Sequence, residues 1–208
     1  MHKIMVAGIG TDVGKTVVSA ILTTLLKGDY WKPIECGDPH TSDTAVVTRW
    51  IGISHTIHPS TYSLKAPLSP HHAARLENIV IRPDSITLPH TTRPLIIEGA
   101  GGIFVPLTLK VLSIDLFKSW DCQWIIVSKH YLGSINHTLL TLEVLKQLHL
   151  PVLGIIFNGE KNCDSENAIL EISKLPFLGR LLPETYINSK TIQRYAKQWQ
   201  PQFLEALL

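Results

Sequence analysis

The sequence of 208 residues predicts an α/β protein with a doubly wound, mainly parallel β-sheet and helices on both faces. Apolar runs typical of strands alternate along the chain with segments whose apolar residues recur at helical spacing. The runs at 95–97, 124–127 and 152–157 are continuously apolar, as expected for parallel strands buried on both faces. A glycine-rich segment also stands between the first strand and the first helix, where such sheets bind ligands.

The glycine-rich segment spans residues 8–16 and reads Gly-Ile-Gly-Thr-Asp-Val-Gly-Lys-Thr. In a phosphate-binding loop, backbone N–H groups and the helix dipole attract an anion, the lysine reaches the outer phosphates and the hydroxyl binds Mg²⁺. Five residues separate Gly8 from Gly14, one more than in the common motif. We therefore predict a P-loop NTPase-like fold, with Lys15 on the phosphates and Thr16 on the metal.

Apolar periodicity and capping residues define the other elements. Ser42 is expected to cap a helix, and Pro33 and Pro201 are expected to end the second strand and the last helix. The segment 53–92, with scattered histidines and prolines, gives no clear pattern. The predicted strands are 4–7, 30–32, 95–97, 124–127 and 152–157, and the predicted helices are about 17–26, 43–51, 134–148 and 189–199.

Composition and charge exclude several classes of protein. An apolar content of 45% is enough for a buried core, so one domain over residues 1–208 is expected. A net charge of +2 without a basic cluster argues against nucleic acid as a partner. The first residues give neither a secretion signal nor a membrane span. The cysteines, at 36, 122 and 163, follow no metal-binding pattern and suit a reducing compartment, so a cytoplasmic protein is expected.

Two carboxylates are candidates for holding Mg²⁺ beside the phosphate loop. Glu98 directly follows the apolar run 95–97 and opens the glycine-rich stretch 99–102, so it is expected at the ligand edge of the sheet. Asp43 lies in the first turn of a predicted helix. Simpler roles are open to both: Glu98 could cap the next turn, and Asp43 could interact only with the helix dipole.

Further polar residues lie at predicted strand and helix ends. Lys32 ends the second strand and could neutralise charge on a transferring phosphoryl group, or it could be an ordinary exposed lysine. The helix start at 133–136 could bind a carboxylate, or it could be an ordinary glycine-serine cap. Asn158 could pair with the edge of a base. Cys36 has no evident histidine partner, so we interpret it as a lining residue rather than a nucleophile.

Over about residues 3–160 the chain resembles the dethiobiotin synthetase family, in which the longer glycine loop is the usual form. Asp12 and Cys36 depart from the family pattern, which has glutamate and serine there. The resemblance rests on the glycine loop, Trp31-Lys32-Pro33, Ser42-Asp43, Ala-Pro-Leu-Ser-Pro-His-His-Ala-Ala at 66–74, Glu-Gly-Ala-Gly-Gly at 98–102 and Leu-Gly-Ser-Ile-Asn-His at 132–137.

The resemblance implies an ATP- and Mg²⁺-dependent cyclo-ligase of biotin biosynthesis. Such an enzyme joins CO₂ to 7,8-diaminopelargonate through a carbamate and a carbamic–phosphoric anhydride, and closure of the ureido ring gives dethiobiotin. The resemblance also implies a homodimer, in which a helix start of one subunit receives the substrate carboxylate bound to the other.

Residue roles follow from the resemblance by position. Lys15 and Lys32 are expected to be catalytic, and Thr16, Asp43 and Glu98 are expected to hold the metal. The expected ATP-binding residues are Asp12, Val13, Gly14, Lys15, Thr16, Val17, Asp43, Glu98, Gly99, Ala100, Gly101, Asn158, Gly159, Pro183 and Glu184. The expected substrate-binding residues are Thr11, Cys36, Ser134, Ile135 and Asn136.

Two other interpretations of the same fold are open at this point. A partitioning-type switch ATPase would carry a second lysine five residues before the lysine of the glycine loop, and that position is Gly10 here. A nucleotide-binding module without catalysis would not need Lys15, Thr16, Lys32 and Glu98 together.

Overall fold

The structure, a computed structural model, describes residues 2–207. Seven of its strands form one sheet in the order β4-β2-β6-β1-β7-β8-β9, and every neighbouring pair is parallel. Strands β3 and β5 form a separate parallel pair. The strands are β1 (Lys3–Gly8), β2 (Asp29–Trp31), β3 (Ile34–Cys36), β4 (Ile57–His58), β5 (Tyr62–Leu64), β6 (Leu95–Gly102), β7 (Gln123–Lys129), β8 (Val152–Asn158) and β9 (Phe177–Leu181).

Two groups of helices cover the sheet. The helices are α1 (Lys15–Leu26), α2 (Asp43–Ile51), α3 (Pro70–Leu76), α4 (Ser113–Phe117), α5 (Ser134–Gln147), α6 (Cys163–Ser173) and α7 (Ser189–Ala206). Helix α1 packs against α2 and α7, whereas α5 packs against α6. Consecutive residues of the central strand, Ile4, Met5 and Val6, have no exposed surface, so both faces of the sheet are covered. The prediction of a doubly wound parallel sheet is confirmed.

The predicted end of the last helix is wrong, because α7 continues through Pro201 to Ala206. A proline inside a helix costs about 3 kcal/mol, since it lacks an N–H and its ring crowds the carbonyl four residues earlier. That carbonyl belongs to the exposed Lys197, where water can solvate it. Phe203 beyond the proline is completely buried. Burial of a phenylalanine contributes about 2–3 kcal/mol, which offsets most of the cost.

One further predicted boundary and one predicted helix cap differ in ways that affect the candidate site. Strand β6 does not stop at residue 97 but runs to Gly102, so Glu98 lies inside it, in register with Val6. The cap of α5 is Gly133, with φ of 103°, and no side chain caps this helix. Ser134, predicted as the cap, is therefore the first helical residue.

The segment 53–92, which shows no clear periodicity, holds β4, β5, α3 and a 3₁₀ turn at Pro83–Ser85. The two strands are only two and three residues long, too short for a periodicity of two to be visible. Helix α6 and strand β9 were not predicted either. The prediction for α2 is confirmed, and Ser42 Oγ accepts a hydrogen bond from the N–H of Ala45 at 3.2 Å. Across residues 2–207, every helix is too short or too polar to span a membrane.

Candidate active site

The glycine loop connects β1 to α1 at the carboxyl edge of the sheet. Gly14, the N-cap of α1, has φ of 98°, and Asp12 has φ of 55°, a left-handed conformation that aspartate tolerates better than most residues. A Cβ atom on Gly14 would lie 2.6 Å from Asn158 Nδ2. Glycine is therefore required there by both backbone conformation and space. Lys15 is buried, and its Nζ donates to Gly10 O at 3.0 Å.

Next to the loop, four polar side chains converge: Thr16 of α1, Asp43 of α2, Glu98 of β6, and Lys32, which directly follows β2. Thr16 Oγ1 lies 2.5 Å from Asp43 Oδ1 and 3.0 Å from Glu98 Oε1. Lys32 Nζ donates to Asp43 Oδ2, and to Glu98 Oε1 at 3.2 Å. The structure thus brings together Lys15, Thr16, Lys32, Asp43 and Glu98, as the sequence predicted.

Tyr30 is a member of this cluster that sequence reasoning missed. Its hydroxyl donates to Glu98 Oε2 at 2.9 Å and is completely buried. Burial, followed by the Glu98 charge, raises the pKa of Tyr30 well above its ordinary value. The tyrosine therefore stays a neutral donor that holds Glu98 in place. The only sequence signal was its place in the predicted second strand, which a role in the core explains equally well.

Charges in the cluster stabilise one another. Burial opposes the charge of Lys32, but Glu98 and Asp43 outweigh it and raise the pKa of this lysine. Burial likewise opposes the charge of Asp43, yet Lys32 and Thr16 lower its pKa below the ordinary value. For Lys15, burial dominates and lowers the pKa, although Glu98 works against it. The site therefore places cations and carboxylates side by side with little solvent between them.

A cavity of about 610 Å³ opens onto this cluster. Its lining contains twelve of the predicted residues, here called the polar side, and six others, most of them apolar, here called the apolar wall. The polar side consists of Thr11, Asp12, Val13, Gly14, Lys15, Thr16, Lys32, Cys36, Asp43, Glu98, Ala100 and Gly101, and the apolar wall, which the sequence did not predict, consists of Ile34, Pro67, Leu68, Ser69, Pro70 and Val105.

Cys36 lines this cavity as predicted. Burial raises the pKa of its thiol to about 11, so the thiolate needed for nucleophilic attack is scarce at neutral pH. Within residues 2–207, the histidine, cysteine and acidic side chains nowhere group in threes as a metal site of their own. A metal ion here would depend on Thr16, Asp43 and Glu98 with further oxygens from a ligand.

Several residues predicted to bind nucleotide lie outside the cavity. Val17 is buried in the first turn of α1, and Gly99 is buried where an added Cβ atom would lie 3.7 Å from Phe117. Asn158 Nδ2 donates to Val13 O at 2.9 Å, so its amide rests against the phosphate loop. Gly159 follows Asn158 and donates its N–H to Leu181 O at 2.9 Å.

The segment that carries Pro183 and Glu184 follows β9. Pro183 is exposed. Glu184 accepts hydrogen bonds from Arg194, and from the Tyr195 hydroxyl at 2.6 Å. The structure thus fixes Glu184 against α7 and leaves one of its oxygens without a hydrogen bond to these two partners.

The three predicted substrate residues at the start of α5 do not line the cavity either. Ile135 and Asn136 are exposed, whereas Ser134 is buried. Leu132, just before the helix, is fully exposed. The start of α5 is therefore mostly exposed and contributes no side chain to the cavity of its own chain.

The sequence of this chain is similar to those of proteins of known activity. A family model described as an AAA domain matches residues 2–191. The ATP-dependent dethiobiotin synthetase BioD of Chlamydia abortus is 48% identical over 96% of this chain and 94% of its own length. That of Christiangramia forsetii is 42% identical over 96% of this chain and 97% of its own length. This chain belongs to the dethiobiotin synthetase family.

The family shares its fold with proteins of other activities. A plasmid partition protein from Borrelia burgdorferi has a TM-score of 0.60 at 17% identity, with 98% of each chain covered. The cell division ATPase MinD of Pyrococcus furiosus has a TM-score of 0.60 at 16% identity over the whole of both chains. At such identities the likeness shows a common fold alone. The dethiobiotin synthetase family, predicted from the motifs, is confirmed by the sequence relatives.

Proposed function

We propose that this chain catalyses ATP-dependent formation of dethiobiotin from 7,8-diaminopelargonate and CO₂, a step of biotin biosynthesis. One observation carries the proposal beyond family membership: Lys32, Asp43, Glu98 and Thr16 meet in one cavity beside the phosphate-loop lysine. A nucleotide-binding module without catalysis has no need for a second buried lysine held by two carboxylates.

ATP would lie with its phosphates in the loop that leads from Thr11 to Thr16. The N-terminus of α1 supplies N–H groups and a favourable dipole to these phosphates. Lys15 supplies a buried positive charge. We assign the base side to Asn158 and Gly159, and to the segment containing Pro183 and Glu184, since Asn158 already contacts the phosphate loop through Val13 O.

The oxygens of Thr16, Asp43 and Glu98 suit Mg²⁺, which prefers hard oxygen ligands and takes the remainder from phosphates and water. These are the three side chains that would hold it. When bound, Mg²⁺ neutralises charge on the outer phosphates. The short contacts from Thr16 to both carboxylates bring the three oxygen groups within reach of one ion.

The protein's own charges fit a reaction in which one amine takes up CO₂ as a carbamate with loss of a proton, and a carbamate oxygen then attacks the γ-phosphorus of ATP and displaces ADP. Lys32 is fixed by Asp43 and Glu98, so its ammonium needs no rearrangement to stabilise negative charge on the carbamate and on the phosphoryl group. Lys15 acts from the other side of the phosphates. Closure of the ureido ring by the second amine then expels phosphate.

The apolar wall of the cavity suits the rest of the substrate. Diaminopelargonate carries its two amines at one end of an aliphatic chain and its carboxylate at the other. The side chains of Ile34, Leu68 and Val105 offer apolar surface to that chain, while Thr11 and Cys36 lie on the polar side.

We infer a homodimer in the cytoplasm, in which Ser134, Ile135 and Asn136 of one subunit receive the substrate carboxylate of the other. The start of α5 supports this, because Ile135 and Asn136 are exposed and do not line the cavity of their own chain, and a helix N-terminus favours a negatively charged group. The three free cysteines support a reducing compartment.

Replacement of Lys15 tests the proposed function. Lys15→Ala is expected to lower dethiobiotin formation by a factor of about 10²–10³ or more, because a charge-stabilising donor is lost. Lys190→Ala, at an exposed position of α7, is the matched control and should keep full activity.

ATP turnover by the unaltered protein should require diaminopelargonate and bicarbonate together. Turnover stimulated instead by DNA or by a protein partner would support a switch ATPase. Near-normal turnover in folded Lys15→Ala protein would contradict the assignment of the site.

A further inference from the structure

A second cluster of charges lies outside the cavity, at the same edge of the sheet. Glu166 of α6 is only 5% exposed. Its Oε1 accepts hydrogen bonds from His130 Nε2 at 2.8 Å and Arg180 Nη1 at 2.6 Å, while Arg180 Nη2 donates to Oε2. These three side chains are absent from the lining of the phosphate cavity. The reaction described above therefore makes no direct use of them.

This cluster joins the ends of three neighbouring strands. His130 directly follows β7, Arg180 lies in β9, and Glu166 lies in the helix that follows β8. Glu166 Oε1 also accepts the N–H of Asn162 at 3.0 Å. The loop 158–162 thus runs from the end of β8 to Asn162, whose backbone N–H is bound by Glu166.

The loop 158–162 also packs against His130. The N–H of His130 donates to Asn158 O at 3.1 Å. Gly159 has φ of 126°, and a Cβ atom there would lie 3.4 Å from His130 Cδ2. On its other side the imidazole stacks on Phe157, with ring centres 5.5 Å apart. Orientation of the His130 ring therefore determines where the backbone at 158–159 can lie.

The loop in turn contacts the phosphate loop. Asn158 Nδ2 donates to Val13 O at 2.9 Å, and this leaves the amide oxygen for another donor. A continuous chain of contacts therefore leads from Glu166, through His130 and Asn158, to the glycine loop. Glu166 is the one member that contacts both Asn162, at the far end of the loop, and His130, which lies against the start of the loop.

We propose that Glu166, together with His130 and Arg180, positions the loop 158–162 so that it can bind the nucleotide base. The proposal rests on the proposed function, which assigns Asn158 and Gly159 to the base. Buried ionic groups cost desolvation, and apolar side chains of equal volume would join the strands as firmly. One carboxylate that accepts directional hydrogen bonds from three segments of the chain fixes a single loop geometry, which apolar packing does not.

The variant Glu166→Gln tests this, with binding measured by calorimetry in the absence of diaminopelargonate. Two probes are used, ATP and inorganic tripolyphosphate, because only ATP carries a base. ATP affinity is expected to fall about tenfold, as for the loss of a well-placed pair of hydrogen bonds. The affinity for tripolyphosphate should stay unchanged.

Asp29→Asn serves as the matched control. Asp29 has 4% side-chain exposure, contacts Arg93, and accepts a hydrogen bond from Thr91. It begins β2, at the opposite edge of the sheet. This variant should be destabilised like Glu166→Gln but keep its ATP affinity.

Arg180→Lys provides a second variant in case Glu166→Gln does not fold. It keeps the charge but loses the two parallel hydrogen bonds of the guanidinium, so it should weaken ATP binding less and leave tripolyphosphate binding unchanged. Unchanged ATP affinity in a folded variant would overturn the proposal, and so would an equal loss for both probes or a similar loss in Asp29→Asn. Failure of the unaltered protein to bind ATP would instead overturn the proposed function on which this one rests.

Discussion

We predict that the folded protein loses stability at low pH when Glu166 is protonated, and the structure gives the size of this loss. Burial would raise the pKa of this carboxyl, but hydrogen bonds from Arg180, Asn162 N–H and His130 outweigh burial and lower it from 4.5 to about 2. At about 1.4 kcal/mol per pKa unit, this difference contributes about 3 kcal/mol to the free energy of unfolding at neutral pH.

The direction of the pH dependence follows from the sign of this shift. The folded protein holds the proton on Glu166 less tightly than the unfolded chain does. The contribution is therefore fully present above about pH 4.5 and is lost as the pH falls towards about 2. More than half of it should be gone at about pH 3.

Urea unfolding of the natural protein and Glu166→Gln, followed at several pH values, measures the contribution. The free energies of unfolding should differ by about 3 kcal/mol at neutral pH, and the difference should shrink below about 1.5 kcal/mol at about pH 3. Glu171→Gln in the same helix is the control, since Glu171 pairs with Lys174 at the surface; it should change stability little. If the two proteins have the same free energy of unfolding at neutral pH, or if the difference between them does not change with pH, the reasoning is refuted.

Other substitutions test the catalytic site and the dimer. Lys32→Ala should lower kcat by a factor of about 10²–10³ and weaken ATP binding only modestly, because its charge acts mainly as phosphoryl transfer proceeds; equal loss of ATP affinity with unchanged kcat would contradict this role. Cys36→Ser should keep most activity, since the thiol is protonated and only lines the cavity; an inactive variant with normal ATP binding would indicate a thiol-specific role. Asn136→Asp should raise KM for diaminopelargonate far more than KM for ATP, because it sets a negative charge against the substrate carboxylate. Sedimentation should show a homodimer, and a fully active monomer would exclude the shared site.

The sequence was sufficient for the phosphate side of the site because that side is built from local patterns. The glycine loop needs one strand, one turn and one helix in succession. Asp43 could be placed because Ser42 and the helical pattern after it define the start of α2. Glu98 could be placed at the ligand edge although β6 is longer than predicted, since its apolar start already set the register beside β1.

The apolar wall and the charged cluster could not be predicted, because both are made by distant segments with weak local signals. Pro67 and Leu68 follow strands of two or three residues. Glu166, His130 and Arg180 come from three separate elements, and no spacing along the chain links them. Glu166 alone reads as an ordinary acidic residue in the first turn of a helix. Tyr30 reads as core, which it also is.

Proteins of different activity share this fold, so the fold alone does not determine the activity of this chain. The Borrelia partition protein and MinD share this fold at 17% and 16% identity, so the sheet order does not separate a switch ATPase from a ligase. Lys32 separates them. It is a buried cation beside Asp43 and Glu98, and burying a charge is costly unless it is paired. A switch that only binds and hydrolyses ATP gains nothing from a fixed ammonium whose cavity extends onto apolar side chains. An enzyme that must stabilise a carbamate beside the γ-phosphate does.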